Sequence, residues 1–356
     1  MRTISLKHHG GKIHAGEHSP TRLNLLVGFN NRESRGGELA KVDALSSKVD
    51  MVADLSTVRV GIEDTVWYHV ATETNCVAAT VPIYLAADDC SNVHSETLLG
   101  CIEEQCENGV GLITIHPTPS RELLDLSSRR IIRCTSRGGS IVIRDMLKNG
   151  RESNIYLENL DEIVTIARRY DVVLSIGTSF RSGTIVDSFD DTQMLEIREQ
   201  KRIADYISNN GVDVIIESPG HLHPERIDTA TKILGRLGYP LMPLGPVLSD
   251  VAEMYDDVCG AIGATVLGLR GCADILSIIT SEEHSGNIPS MNSMREAVNK
   301  YRLAAHIIDL AKTGDDSQDR FISDIRAMGE SCIAEPGKVC DRCGHFCPLR
   351  NLSPEN

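Results

Sequence analysis

Three cysteines make the most reactive stretch of this 356-residue chain, Cys340-Asp-Arg-Cys343-Gly-His-Phe-Cys347. Three thiolates at C-x2-C-x3-C spacing cannot all pair as disulfides. A short loop can turn all three sulfurs inward, which suits a soft metal or an iron–sulfur cluster. His345 lies inside the loop and offers the fourth ligand that a structural zinc would need. A three-cysteine cluster would instead leave one iron open. Spacing alone allows both.

Other residues suggest a ligand for such a centre. Ser136-Arg137-Gly138-Gly139-Ser140 has the make-up of an anion cradle. Its glycines let backbone N–H groups approach an oxyanion, its hydroxyls donate, and Arg137 can grip phosphate in a fork. Arg181 is a second cation in the same order along the chain. His221, after a sharp Pro-Gly turn, and His284, in Ser281-Glu-Glu-His284, could hold a divalent metal with open positions. Glu217 precedes His221 by four residues and suits acid/base work or a substrate amine. Each has an ordinary reading beside it: a Gly-Gly turn, two loop histidines, a structural ion pair.

Such residues need a frame to meet on. Short apolar runs rich in Val, Ile and Leu occur at 23–27, 51–55, 80–84, 111–115, 172–176, 212–216, 241–244 and 265–269. They alternate poorly, as strands buried on both faces do. Helical patterns at 94–108, 158–170, 191–209, 224–237 and 248–262 lie between them. Repeated strand–helix units predict an α/β fold, a (β/α)8 barrel over residues 21–290. A ninth run, 131–135, is placed in a long connection after the fourth strand. An open doubly wound sheet is disfavoured, because no G-x-G-x-x-G follows the first run. The remaining chain divides into a polar tail at 1–20, a helical bridge at 291–330 and the cysteine-rich tail at 331–356. Residues just after each strand build a barrel's active face. Tyr84, His116, Arg181, Glu217 and His221 fall at such places, as does Arg270-Gly-Cys272 after the run taken as the eighth strand.

Composition narrows the partners. A net charge of −14 and 4% aromatic residues argue against nucleic acid and anionic membranes. No apolar run reaches the about 18 residues of a membrane span. Eleven cysteines with no secretion signal predict reduced thiols and a cytoplasmic protein.

Several segments in shared order resemble the phosphomethylpyrimidine synthase family, the thiamine-pyrimidine synthases of the radical S-adenosylmethionine class. They are Asp54-Leu-Ser-Thr57, Thr80-Val-Pro-Ile-Tyr84, Thr114-Ile-His116, Ser136–Ser140, Glu217-Ser-Pro-Gly-His221, Leu244-Gly-Pro246, Tyr255-Asp256, Ile262-Gly263, Glu283-His284 and Ala304-Ala-His306. The resemblance implies a barrel, a homodimer, and a 4Fe-4S cluster on Cys340, Cys343 and Cys347 with S-adenosylmethionine at the open iron. It implies a flavodoxin- or ferredoxin-type electron donor. The implied substrate is 5-aminoimidazole ribotide, rearranged to hydroxymethylpyrimidine phosphate. Tyr84, His116, Ser136, Arg137, Gly138, Arg181 and Glu217 would contact it, with Glu217 and Tyr84 nearest the chemistry. His221 and His284 would hold zinc or a similar ion.

The chain departs from the family at identifiable positions. The family's cysteine spacing is C-x2-C-x4-C, one residue longer. Its Asp-Gly-Leu-Arg loop is here Thr178-Ser-Phe-Arg181. A tyrosine before Leu-Gly-Pro is here Met242, and an asparagine on the first strand is Leu26, with Asn24 close by. Altered polar pocket positions leave different substrate groups satisfied. Two alternatives therefore stand beside the main reading. One is a paralogue such as a 5-hydroxybenzimidazole synthase for a cobamide lower ligand. The other is a non-catalytic ribotide-binding protein with a zinc tail.

Overall fold

Ten strands organise the described part of the chain: β1 (Ile4–His8), β2 (Gly11–Ala15), β3 (Arg22–Val27), β4 (Met51–Asp54), β5 (Val77–Thr80), β6 (Leu112–Ile115), β7 (Val173–Ile176), β8 (Val214–Ser218), β9 (Leu241–Pro243) and β10 (Ile275–Ile278). The structure is a computed structural model that describes residues 3–88, 91–335, 338 and 340–351. Strands β3 to β10 form one parallel sheet in the order β10-β3-β4-β5-β6-β7-β8-β9. A parallel bridge from Leu244, just past β9, to Ser277 of β10 closes the ring. The fold is therefore the expected (β/α)8 barrel. Its strands are short and mostly buried along their whole length, which is why they read as apolar runs rather than alternating ones.

Side chains from the connections start several of the helices between strands. Ser120, Ser136, Asn154 and Asp190 each accept a backbone N–H from the first turn of the helix they precede. Residues 131–135 contain no strand and lie in the connection between β6 and β7, as the sequence suggests.

Four expectations are corrected. The run at 80–84 lies late: β5 is Val77–Thr80, and Ile83–Ala86 is a helical turn. The run at 265–269 is not the eighth strand; residues 265–268 end the helix Asp256–Gly268, and the strand is Ile275–Ile278. Arg270-Gly-Cys272 therefore precedes the last strand and lies at the end of the barrel away from the strand C-termini. Residues 1–20 are not a solvated tail. Within them β1 and β2 pair as an antiparallel hairpin. Its Ile4, Leu6 and Ala15 join one apolar cluster with Met51, Val77, Leu112, Val173, Ile215 and Ile275, at the N-terminal ends of the barrel strands. Burying a side chain such as Leu6 contributes about 1.5–3 kcal/mol. Polar ties add to it: the Ser5 amide donates to Asp213, and Lys7 Nζ to the Tyr170 carbonyl. Finally, the helix Met291–Thr313 is no mere bridge. Its Met294, Ala297, Val298, Tyr301, Ala304 and Ile308 are buried in the barrel's main core cluster, so it is the eighth barrel helix.

The chain separates into two compact units, 1–308 and 309–356. The second holds the helix Ser317–Met328, a 3-10 turn at Gly344–Phe346 and a final turn at Pro348–Asn351. No helix among the described residues is long and apolar enough to cross a membrane.

Candidate active site

The C-terminal ends of the strands open into a cavity of about 530 Å³. Tyr84, His116, Ser136, Arg137, Arg181 and Glu217 all line it. They come from separate places: the turn after β5, the residue after β6, the start of the helix Arg137–Lys148, the loop after β7, and β8 itself. The ring closure gathers them, since each strand delivers its end to the same face. Other polar strand ends serve the scaffold. Asp54 is buried and accepts the amides of Ser56 (2.8 Å) and Trp67 (3.0 Å).

Arg181 and Glu217 face each other at 3.8 Å, and the Glu217 carboxylate also accepts the Thr178 amide at 3.1 Å. Burial raises the Glu217 pKa above the ordinary carboxylate range, opposed by the Arg181 charge. His116 is buried, and its Nδ1 has no hydrogen-bond partner. Burial, reinforced by Arg181, pushes its pKa down to about 3, so the imidazole is neutral. A Cβ on Gly138 would lie 2.3 Å from that ring, so glycine is needed there for close approach rather than for an unusual backbone. Ser136 caps the helix Arg137–Lys148 by accepting the Gly139 amide at 3.1 Å, which leaves its O–H free to donate inward. The Arg137 guanidinium lies over the Tyr84 ring, 5.2 Å from its centroid, and donates to the Leu55 carbonyl. Two guanidiniums, a hydroxyl and a helix N-terminus thus share a cavity with an acid/base carboxyl and a neutral imidazole. This set can hold an anionic group and place a polar ring against Glu217.

His221 and His284 do not line the cavity, although Glu283 does. The two histidines nevertheless meet: their Nε2 atoms are 3.2 Å apart, with ring planes at 65°. His221 Nδ1 faces Asp250 at 2.7 Å, and His284 Nδ1 faces Asp256 at 2.8 Å. Where each carboxylate accepts from its Nδ1–H, both neutral rings turn an Nε2 lone pair toward the other. Lone pairs that close repel unless a cation joins them. With metal–nitrogen bonds of about 2.0–2.1 Å, the separation subtends roughly 100°, a normal angle for cis ligands. The donor pair fits a divalent ion. His284 reaches this point because the last strand is Ile275–Ile278, which puts residues 279–284 at the active end.

The three tail cysteines are free thiols. Gly344 turns the loop between Cys343 and Cys347 with φ of 51°, a value glycine adopts without strain. The donor chemistry fits a thiolate-held cluster. The sulfurs do not stand gathered: among the described residues, no group of three or more His, Cys, Asp or Glu side chains is arranged to hold a metal.

Sequence reasoning assigned no role to Asp250, Asp256 or Glu283. Asp256 and Glu283 lay within segments already singled out, but pairing a carboxylate with a particular imidazole needs three-dimensional proximity. Asp250 carried no signal of its own.

The model of the radical SAM ThiC family matches residues 3–331. A phosphomethylpyrimidine synthase of Carboxydothermus hydrogenoformans is 36% identical over 312 residues, covering 84% of this chain and 72% of that protein. One from Pyrobaculum aerophilum is 32% identical and covers 94% of this chain and 84% of its own length. One from Clostridium acetobutylicum is 30% identical, covering 95% and 84%. Among solved structures, a dihydropteroate synthase of Xanthomonas albilineans superposes with a TM-score of 0.48 at 9% identity, over 85% of this chain and 98% of that one. With a family model that spans the whole barrel and ends before the tail cysteines, the chain belongs to the radical SAM ThiC family.

Proposed function

We propose that this chain is a radical S-adenosylmethionine lyase that converts 5-aminoimidazole ribotide to hydroxymethylpyrimidine phosphate, the phosphomethylpyrimidine synthase step of thiamine biosynthesis. The observation that carries this reading is the shared cavity. Arg137 and Ser136 stand at one helix N-terminus, with Arg181, Glu217 and the neutral His116 around the same space. Arg137, Ser136 and Gly138 would bind the phosphate. Glu217, with its raised pKa, would take or give a proton at the ring amine, and Arg181 would hold Glu217 in place. Tyr84 and His116 would wall the ring and exclude water. Cys340, Cys343 and Cys347 would hold a 4Fe-4S cluster, which with S-adenosylmethionine supplies one-electron chemistry able to remove hydrogen from the substrate's ribose. His221 and His284 would hold zinc or another divalent ion. A flavodoxin- or ferredoxin-type donor and a homodimeric state complete the proposal.

A second reading keeps the ribotide and changes the product. Leu26 and Met242 line the cavity where the family has polar side chains, and Thr178 replaces a carboxylate beside Glu217. A paralogue such as a 5-hydroxybenzimidazole synthase would be built this way.

The test is anaerobic. The protein is reconstituted with iron and sulfide, reduced, and given S-adenosylmethionine with the ribotide. Formation of 5′-deoxyadenosine only when the ribotide is present supports the radical reading, and the product mass separates the two branches. Cys343→Ala is expected to lose cluster iron and activity while the barrel stays folded. If only zinc is bound and no 5′-deoxyadenosine forms, the chain is the non-catalytic binder.

A further inference from the structure

We propose that Asp250 and Asp256 are the positioning residues of the two-histidine site, holding His221 and His284 in the one tautomer that can bind a divalent cation. The inference rests on the reading of these histidines as a metal pair. Asp250 lies in the connection after β9, and Asp256 is the first residue of the helix Asp256–Gly268. Neither touches Nε2; each faces an Nδ1, at 2.7 and 2.8 Å.

A neutral imidazole has one N–H and one lone pair. An ionised carboxylate only accepts, so each Nδ1 must carry the proton and each Nε2 must present its lone pair. Without the carboxylates, the two Nε2 atoms at 3.2 Å would relax by moving one proton to form an N–H···N hydrogen bond between the rings. That arrangement occupies the lone pair a cation needs. Two carboxylates behind two neutral rings also place two negative charges beside the ion, which matches a divalent cation and leaves no net charge in the half-buried site.

The carboxylates are themselves held. Asp256 is 1% exposed and also accepts the His284 amide. Asp250 accepts Thr184 Oγ1 at 2.7 Å and the Ile185 amide at 3.0 Å. Ser182 bonds to the backbone of His221 through both its carbonyl and its hydroxyl. Asp250 therefore ties His221 to the loop that carries Arg181, so the metal pair and the cavity share one support.

The test uses the full-length chain labelled with 15N-histidine, with Mn2+ as probe because it has little affinity for the tail thiolates. Ring 15N shifts report each tautomer, and loss of the free-ion electron paramagnetic resonance signal reports binding. Wild type should show Nδ1–H at both rings. Asp256→Ala should move His284 toward Nε2–H and weaken Mn2+ about 10–100-fold, with the other histidine signals in place. Asp250→Ala should do the same at His221. The Asp→Asn variants, whose amide oxygen still accepts from Nδ1–H, should restore the tautomer and most of the affinity. Unchanged tautomers and affinity in both alanine variants would overturn the proposal. If His221→Ala and His284→Ala bind Mn2+ as wild type does, the metal-pair reading itself fails, and the shifts still judge the carboxylates.

Discussion

The two ends of the barrel are built from the same eight strands and do opposite things. At the N-terminal end, Met51, Val77, Leu112, Val173 and Ile275 open their strands and meet the hairpin's Ile4 and Leu6 in a dry cluster. At the C-terminal end, the chain offers Tyr84, His116, Arg137, Arg181 and Glu217 around open space. The hairpin supplies what the cavity lacks, a lid of apolar side chains, tied down by the Ser5 amide and Lys7. A strand only a few residues long thus spends its first residues on stability and its last on chemistry. Substitutions at the two ends should therefore separate cleanly.

The largest effect is expected at the polar end. Glu217→Gln keeps an oxygen for the Thr178 amide and removes the ionisable group facing Arg181. It should lower kcat/KM by about 100-fold or more with little change in melting temperature; steady-state kinetics alongside a melt would test it. At the opposite end, Leu6→Ala should cost ~2–4 kcal/mol of stability, as a cavity in a closed apolar cluster does, while the folded fraction keeps its kcat. A denaturant titration paired with activity per folded molecule decides this, and a lost kcat would break the separation of the ends. Gly138→Ala presses a methyl against the His116 ring and should weaken ribotide binding by roughly 10-fold, or about 1.4 kcal/mol, read by calorimetry. The smallest effect is a pH dependence. The folded pKa of His116 is about 3, far below its unfolded value. The unfolded chain therefore takes up a proton on this residue as pH falls below ordinary histidine values, while the folded chain does not. His116 thus costs stability on the acid side, by up to about 1.4 kcal/mol per pH unit. His116→Gln should flatten the fall in melting temperature between pH 7 and 5.

Seven of the eight barrel strands were recognisable because buried parallel strands are short unbroken apolar runs. The eighth was misplaced for the same reason. Residues 265–269 and 275–279 are both short apolar runs, and periodicity cannot tell a buried helix end from a strand. The third is recognisable but lies late, because the apolar run continues past β5 (Val77–Thr80) into the helical turn Ile83–Ala86. The hairpin was hidden by composition, since its histidines and lysines made an alternating segment look like a polar tail. In the site, Arg181 and the two histidines stand out by residue type and by their place after a strand, Arg137 by its glycine-rich run, and Glu217 as a carboxylate at the end of β8 itself. Asp250 does not, because a carboxylate that orients an imidazole 29 positions away leaves no local mark.

The hairpin also has a consequence for when things happen. Pairing β1 with β2 is local and fast. Its docking is not. The Ser5 amide reaches Asp213, 208 residues along the chain, and the cluster it completes includes Ile275 of the last strand. Contacts of such long sequence separation form late. Protection of the Ser5 amide, which bonds to Asp213 rather than within the hairpin, should therefore report the moment the ring shuts, which makes this end of the molecule a clock for assembly of the other.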